Sequence, residues 1–168
     1  MVVVELGSTA DVDAVADLWV ELADGQRDFG SHLLAGENRD RVTEAVARSA
    51  VAGELLVARA EGDEMARTGR DGIVGFLTFA VESDTYEQDV TRGVVQNIYV
   101  VPDARSEGIG SDLLAEAERR MAAGGADAVS LDVMADNDAA RRFYRRHGYS
   151  PHRVELEKSV ESDTLTKE

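Results

Sequence analysis

The chain has 168 residues, of which 43% are hydrophobic and 30% charged, enough for a domain with its own core and too apolar for a disordered chain. No run approaches the ~20 apolar residues of a membrane span. The 33 acidic residues outnumber the 18 basic ones, and the formal net charge of −15 argues against a nucleic-acid partner, which needs basic patches. There is no cysteine, hence no disulfide, thiol nucleophile or thiolate metal site. His32, His147 and His152 show no metal-ligand spacing. Lys158 and Lys167 are the only lysines, and so acid-rich and lysine-poor a chain suggests a halophilic source. The alternative is an acidic surface that gathers cationic amines. Met1 to Leu6 lacks the basic region of a signal peptide, so a cytoplasmic location is expected.

In chain order, Val2 to Leu6 reads as a first strand. Ser8-x-x-Asp11 is a capping box before a helix over Ala10 to Ala23, where Val12, Val15, Leu18, Trp19 and Leu22 recur at helical spacing. A polar connection over 25–38 leads to a second helix, Asp40 to Ala52, with Val42, Val46 and Ala50 inward. Glu54 to Ala60 and Ile73 to Val81 read as strands joined by a charged, glycine-bearing loop. An acidic connection over 83–91 follows. Val94 to Val101 is β-branched and unbroken, a buried fourth strand that Pro102 ends. No helix signal separates strands two to four, so they are antiparallel neighbours.

Gly108 and Gly110 open a helix to about Ala123 with Leu113, Leu114, Ala117 and Met121 as its inner stripe, and Gly124-Gly125 stops it. Ala128 to Met134 reads as a fifth strand. Asn137 starts another helix, closed by Gly148. Tyr149 to Lys158 reads as a final hairpin pair with Val154 and Leu156 alternating, before a polar tail. The order βααβββαβαββ, without repeat or linker, gives one α/β (α+β) domain over 1–158: a mixed, mostly antiparallel sheet flanked by helices, with 159–168 as tail.

Two stretches carry chemistry. In Arg105-x-x-Gly108-x-Gly110 the glycines leave free amides at a helix mouth, where the helix dipole favours an anion, above all a phosphate. A tight strand-to-helix turn would use the same glycines. Further on, Asn137 suits a helix N-cap, and Tyr144 lies two turns along the same face, where a core aromatic with its hydroxyl at the rim also fits.

Together these stretches resemble the GNAT superfamily of acyl-CoA-dependent N-acyltransferases. The first resembles its pyrophosphate motif, Gln/Arg-x-x-Gly-x-Gly/Ala. The second resembles Asn-x-x-Ala-x-x-Phe/Leu-Tyr-x-x-x-Gly-Phe/Tyr, matched by Asn137, Ala140, Phe143, Tyr144, Gly148 and Tyr149. Ser106 and Glu107 depart from it, standing where the family often has glycine and a basic residue. Glu107 is expected to point to solvent.

The resemblance implies an N-acetyltransferase that moves an acetyl group from acetyl-CoA to a primary amine by direct attack, without a metal. CoA would be held by Arg105, Ser106, Glu107, Gly108, Ile109, Gly110, Ser111 and Asn137. It would also meet the fourth strand at Ile98, Tyr99 and Val100, where a bulge commonly splays that strand from the fifth. Tyr144 would be the general acid for the leaving thiolate. Asp132 sits where ribosomal-protein N-terminal acetyltransferases of the superfamily carry a general-base Glu, a methylene longer; a solvated strand carboxylate is the other reading. Glu82 is a second candidate. An alkyl ammonium of pKa ~10.4 is almost wholly protonated at pH 7, so some base or water relay is required. The acceptor would be a small-molecule amine or a peptide N-terminus, with a homodimer left open and no membrane or nucleic acid involved. A non-catalytic acyl-CoA sensor is an alternative of another class. A Rossmann-type nucleotide binder is disfavoured because no βαβ unit opens the chain.

Overall fold

Five strands lie side by side in chain order in the computed structural model, which describes residues 1–62, 70–83 and 86–161. They are β1 Val2–Leu6, β2 Leu55–Ala60, β3 Ile73–Val81, β4 Arg92–Val100 and β5 Ala128–Ser130. The first four form an antiparallel meander, and β5 joins β4 in parallel. A parallel neighbour needs a crossover, supplied by helix α3, Ile109–Ala123. Helices α1, Val12–Gln26, and α2, Arg39–Ala52, lie between β1 and β2.

Contacts divide the chain into two units, Met1–Asn137 and the residues from Asp138 on. In the first unit, α1 and α2 cover one sheet face. Val12, Val15, Leu18, Trp19 and Val46 pack with Leu55, Val57, Ile73 and Phe76, all buried. α3 covers the other face with Leu113, Leu114, Ala117 and Met121, each fully buried. Gly93 on β4 permits this approach, because a Cβ there would lie 2.6 Å from the Met121 sulfur and 3.0 Å from its Cβ. The mostly antiparallel α/β sheet is as expected, and so is the inner stripe of α3.

Local signals set the element ends. The Ser8 box forms, with the Ser8 side chain accepting from Ala10 N–H and Asp11 accepting from Ser8 N–H, on a short 3-10 turn that leads into α1. Asp11 is buried and holds Arg59 at 2.9 Å. The Arg59 guanidinium also donates to Glu5 at 2.8 Å and to the Asp71 carbonyl at 3.0 Å. One side chain thus ties β1, β2, the mouth of α1 and the turn before β3.

The second unit holds α4, Asp138–Arg146. Gly148 takes a left-handed φ of 89° and closes the helix, with Tyr149 N–H donating to the Tyr144 carbonyl at 3.0 Å. Phe143, Tyr144, His147 and Tyr149 form a chain of ring contacts.

Two expectations need correction. The fifth strand ends at Ser130, not Met134, because its pairing with β4 stops at Val94–Ser130. The hairpin expected over Tyr149 to Lys158 is absent: no residue from 149 to 161 is in a strand, and Val154 and Leu156 stand exposed. An alternating pattern marks a face to bury, but a strand forms only where another backbone takes its hydrogen bonds. The end of the expected tail, 162–168, and much of the loop before β3, 63–69, lie outside the described residues.

Candidate active site

The end of β4 has an open edge. Thr78 on β3 faces Asn97, but the next residue, Phe79, faces Val95, so Gln96 is a bulge. Before it, β4 pairs with β5 as far as Val94; beyond it, no described strand lies on that side. Successive residues of a strand turn their backbone groups to opposite neighbours. Val101 N–H donates to Val74 O at 2.9 Å, toward β3. Val100 O faces the other way, accepting from Arg105 Nε at 2.8 Å. By this alternation the N–H groups of Ile98 and Val100 point to the open edge, while that of Tyr99 points to β3. Of the three residues that the resemblance implied, Ile98 and Val100 turn their amides to this edge and Tyr99 does not.

The helix mouth follows directly. Gly108 is the N-cap of α3 with φ 84°, a conformation that favours glycine, and no side chain caps the helix. The first intrahelical bond runs from Asp112 N–H to Gly108 O at 3.0 Å. Ahead of it, the N–H groups of Ile109 and Gly110 have no partner among the described residues. Two such amides at the positive end of a helix are of the kind that favours an anion. Ser106 holds a left-handed φ of 67°, and the Glu107 side chain is exposed, as expected. Arg105 is partly spent, since it is tied to Val100 O and lies 5.4 Å from the centre of the Tyr99 ring.

Tyr99 packs against the α1–α2 core. Burial pushes its phenol up and the Glu21 charge adds to this, against the opposing charges of Arg105 and Arg70. Glu21 is itself paired with Arg70 at 3.0 Å. This carboxylate escapes a reading of the sequence, because Asp13, Asp17, Glu21 and Asp24 all sit on α1 and look alike. Asn97 donates to the buried Thr78 hydroxyl at 2.9 Å on the same face, also unforeseen.

The two proposed bases fare differently. Asp132 is exposed, in the segment that follows β5, and free of partners among the described residues. Glu82 pairs with Arg92 at 3.2 Å and borders a polar hollow lined by Tyr86, Gln88 and Thr91. Arg92 starts β4, six residues before Ile98, so Glu82 lies roughly 20 Å along the strand from the first amide of the open edge. Glu82 is therefore withdrawn.

In the second unit, Tyr144 is partly buried, and burial pushes its phenol up to about 12. It stays protonated throughout the neutral range. Its ring meets Phe143 edge-on at 5.3 Å and Tyr149 at 6.0 Å. Asn137 precedes α4, its N–H donating to Met134 O at 3.0 Å.

Residues 19–149 match the model of the Acetyltransferase (GNAT) family. A mycothiol acetyltransferase of Clavibacter michiganensis is 34% identical over 84% of this chain, which spans 42% of that relative's length. An aminoalkylphosphonate N-acetyltransferase of Salmonella typhimurium is 27% identical over 91% of this chain and 88% of its own. Among solved structures, a PaiA N-acetyltransferase from Thermoplasma acidophilum in complex with coenzyme A has a TM-score of 0.73 at 18% identity, covering 92% of this chain and 93% of its own. An aminoglycoside N-acetyltransferase in complex with CoA has a TM-score of 0.70 at 15% identity, covering 95% of both chains.

Proposed function

Because the chain belongs to the Acetyltransferase (GNAT) family, we propose that it transfers an acetyl group from acetyl-CoA to the primary amine of a small molecule. The observation that carries the reading is the open edge of β4 running into the uncapped mouth of α3. The edge offers the amides of Ile98 and Val100 to a pantetheine arm, and the mouth offers those of Ile109 and Gly110 to a diphosphate. Arg105, Ser106, Glu107, Gly108 and Ser111 shape that mouth, and Asn137 is assigned to the CoA arm. Val100 N–H is the donor suited to the oxyanion. The relatives named for aminoalkylphosphonate and mycothiol acetylation support a small-molecule acceptor over a peptide N-terminus.

The amine nitrogen attacks the thioester carbonyl carbon, the C–S bond breaks, and the nitrogen releases a proton. Asp132, free of partners, accepts that proton through a water, and Glu21 beside Tyr99 is the rival acceptor. Tyr144 donates to the leaving sulfur. A thiol near pKa ~8.5 is a far stronger acid than a phenol at about 12. Full transfer from the phenol would therefore be uphill by about 5 kcal/mol at ~1.36 kcal/mol per unit. Tyr144 thus acts chiefly by a hydrogen bond that strengthens as charge gathers on sulfur, and the thiol's proton comes ultimately from the amine.

Tyr144→Phe tests the assignment, because it keeps the ring and removes only the hydroxyl. CoA affinity should change little, while kcat falls about 10²-fold, the low end for acid–base assistance. Equal turnover in both proteins would make Tyr144 a packing residue. No turnover in either, with CoA bound equally, would make the chain an acyl-CoA sensor.

A further inference from the structure

Charge beside Tyr99 departs from that of the chain as a whole. Glu21 on α1 pairs with Arg70 at 3.0 Å, and their side chains keep 41% and 32% of their surface open to solvent. Arg105 lies 5.4 Å from the centre of the Tyr99 ring. Glu21, Arg105 and Arg70 all act on the Tyr99 phenol. Two guanidinium groups and one carboxylate thus gather at one ring, in a chain of net charge −15.

Arg70 is held there under strain. Its φ of 50° and that of Asp71, 56°, are left-handed, which is unfavourable for residues with a side chain, and Gly72 continues the turn at 80°. Arg59 Nη1 donates to the Asp71 carbonyl at 3.0 Å and pins the turn. A half-open ion pair contributes little to stability, so the pair with Glu21 does not explain the strain. Strain of this kind gathers where a residue must be placed for function.

The position relative to the open edge is fixed by the alternation of β4. A Cβ on Gly75 would lie 3.3 Å from Val100 Cγ2 and 3.4 Å from Leu113 Cδ1, so the Val100 side chain shares the α3 face. Tyr99, one residue earlier, turns to the other face and packs with the α1–α2 core. An acceptor that approaches the Val100 amide from this second face meets Tyr99 and its charged neighbours.

We infer that the acceptor is an amine that also carries an acidic oxyanion group, a carboxylate or a phosphonate, and that the Glu21–Arg70 pair reads its two ends. The inference rests on the acetyl-transfer reading above and narrows its acceptor. The amine end meets Glu21 and the oxyanion meets Arg70, whose planar fork suits the oxygens of either acid. Such a molecule replaces one weak ion pair by two and strands neither charge. A bare alkylamine takes Glu21 and leaves Arg70 unpaired, and a polyamine is repelled by it. The chain has 33 acidic residues to attract any amine; a guanidinium beside the reacting edge serves an acceptor that is also an acid.

The test measures kcat/KM at saturating acetyl-CoA for 2-aminoethylphosphonate, β-alanine and propylamine, in the full chain and in Arg70→Gln. The wild type should prefer at least one of the two acid-bearing amines to propylamine by about tenfold or more, the worth of one charged hydrogen bond, and the better of the two identifies the oxyanion. In Arg70→Gln that preference should fall about tenfold, through KM rather than kcat. A merely structural Arg70 would lower all three acceptors alike, and an unchanged preference overturns the inference. Wild-type turnover of propylamine as good as that of both acids also overturns it, while acetyl transfer stands. If neither protein releases CoA, calorimetry with 2-aminoethylphosphonate in the presence of CoA separates the two readings. Binding about tenfold tighter in the wild type than in Arg70→Gln then supports the site and removes the acetyl-transfer reading. Equal binding, or none, overturns the inference. Should Arg70→Gln fail to fold, the wild-type preference decides alone.

Discussion

Gly110 and Tyr144 carry the residue-scale claims. Gly110 stands in the first turn of α3, where its N–H has no partner among the described residues. Gly110→Glu places bulk and negative charge at the anion site. A carboxylate in the first turn favours a helix through the dipole, so the fold should survive. Calorimetry with CoA should show binding lost or weakened at least tenfold. Unchanged affinity in the folded variant would remove the phosphate role from 105–111. For Tyr144, burial disfavours the phenolate and holds the phenol at about 12. The hydroxyl keeps its proton as pH rises toward that value, so an alkaline fall in kcat below pH 11 should persist in Tyr144→Phe. Its disappearance in the variant would mean that Tyr144 itself titrates there.

Among the elements, the Asp11–Arg59 pair should matter most to stability. Burial alone would raise the Asp11 carboxyl, but Ser8 N–H and the Arg59 guanidinium outweigh it and bring it below its ordinary 3.8. A carboxyl lowered on folding contributes stability that is present above its unfolded pKa and lost as pH falls through the folded one. Arg59→Met should therefore destabilise by about 3 kcal/mol at neutral pH, the low end for stranding one partner of a buried pair. The difference from wild type should shrink as pH falls and the Asp11 carboxyl takes up its proton. Urea melts at pH 7 and pH 3.5 check this, and equal stability in both proteins at pH 7 would contradict it. The same scale shows what a sequence can reveal. Leu113, Leu114, Ala117 and Met121 announce the buried stripe of α3 because helical period is a local property. Val129, Leu131 and Val133 announce a strand of seven residues, yet β5 has three, because the bulge at Gln96 withdraws its partner. Val154 and Leu156 fail as strand markers for a similar reason: the pattern cannot name the edge that would receive them. Glu82 looked like a base because its place along β4 depends on strand register, and Glu21 went unseen because its nearness to Tyr99 arises only when α1 crosses the sheet.

For the whole molecule, charge and chemistry make separate claims. A net charge of −15 repels itself in the folded state. Salt shortens the range of that repulsion to about 3 Å at 1 M. The melting temperature should rise steadily toward molar salt, as a halophilic origin also requires, and a flat series would contradict both. The motif pair was legible in the sequence because it lies in two short stretches, and the resemblance implied a splay of β4 from β5, but placing the bulge at Gln96 needed the register of three strands. The measurement that bears most directly on the enzyme is thiol release from acetyl-CoA, followed at low and high salt with a panel of small amines, aminoalkylphosphonates, aminoglycosides and peptides. Amine-dependent release of CoA with a small-molecule acceptor, matched by an equal amount of N-acetylated product, is the result expected. Release no faster with any acceptor than without, from a protein that binds acetyl-CoA, would contradict the assignment as an N-acetyltransferase.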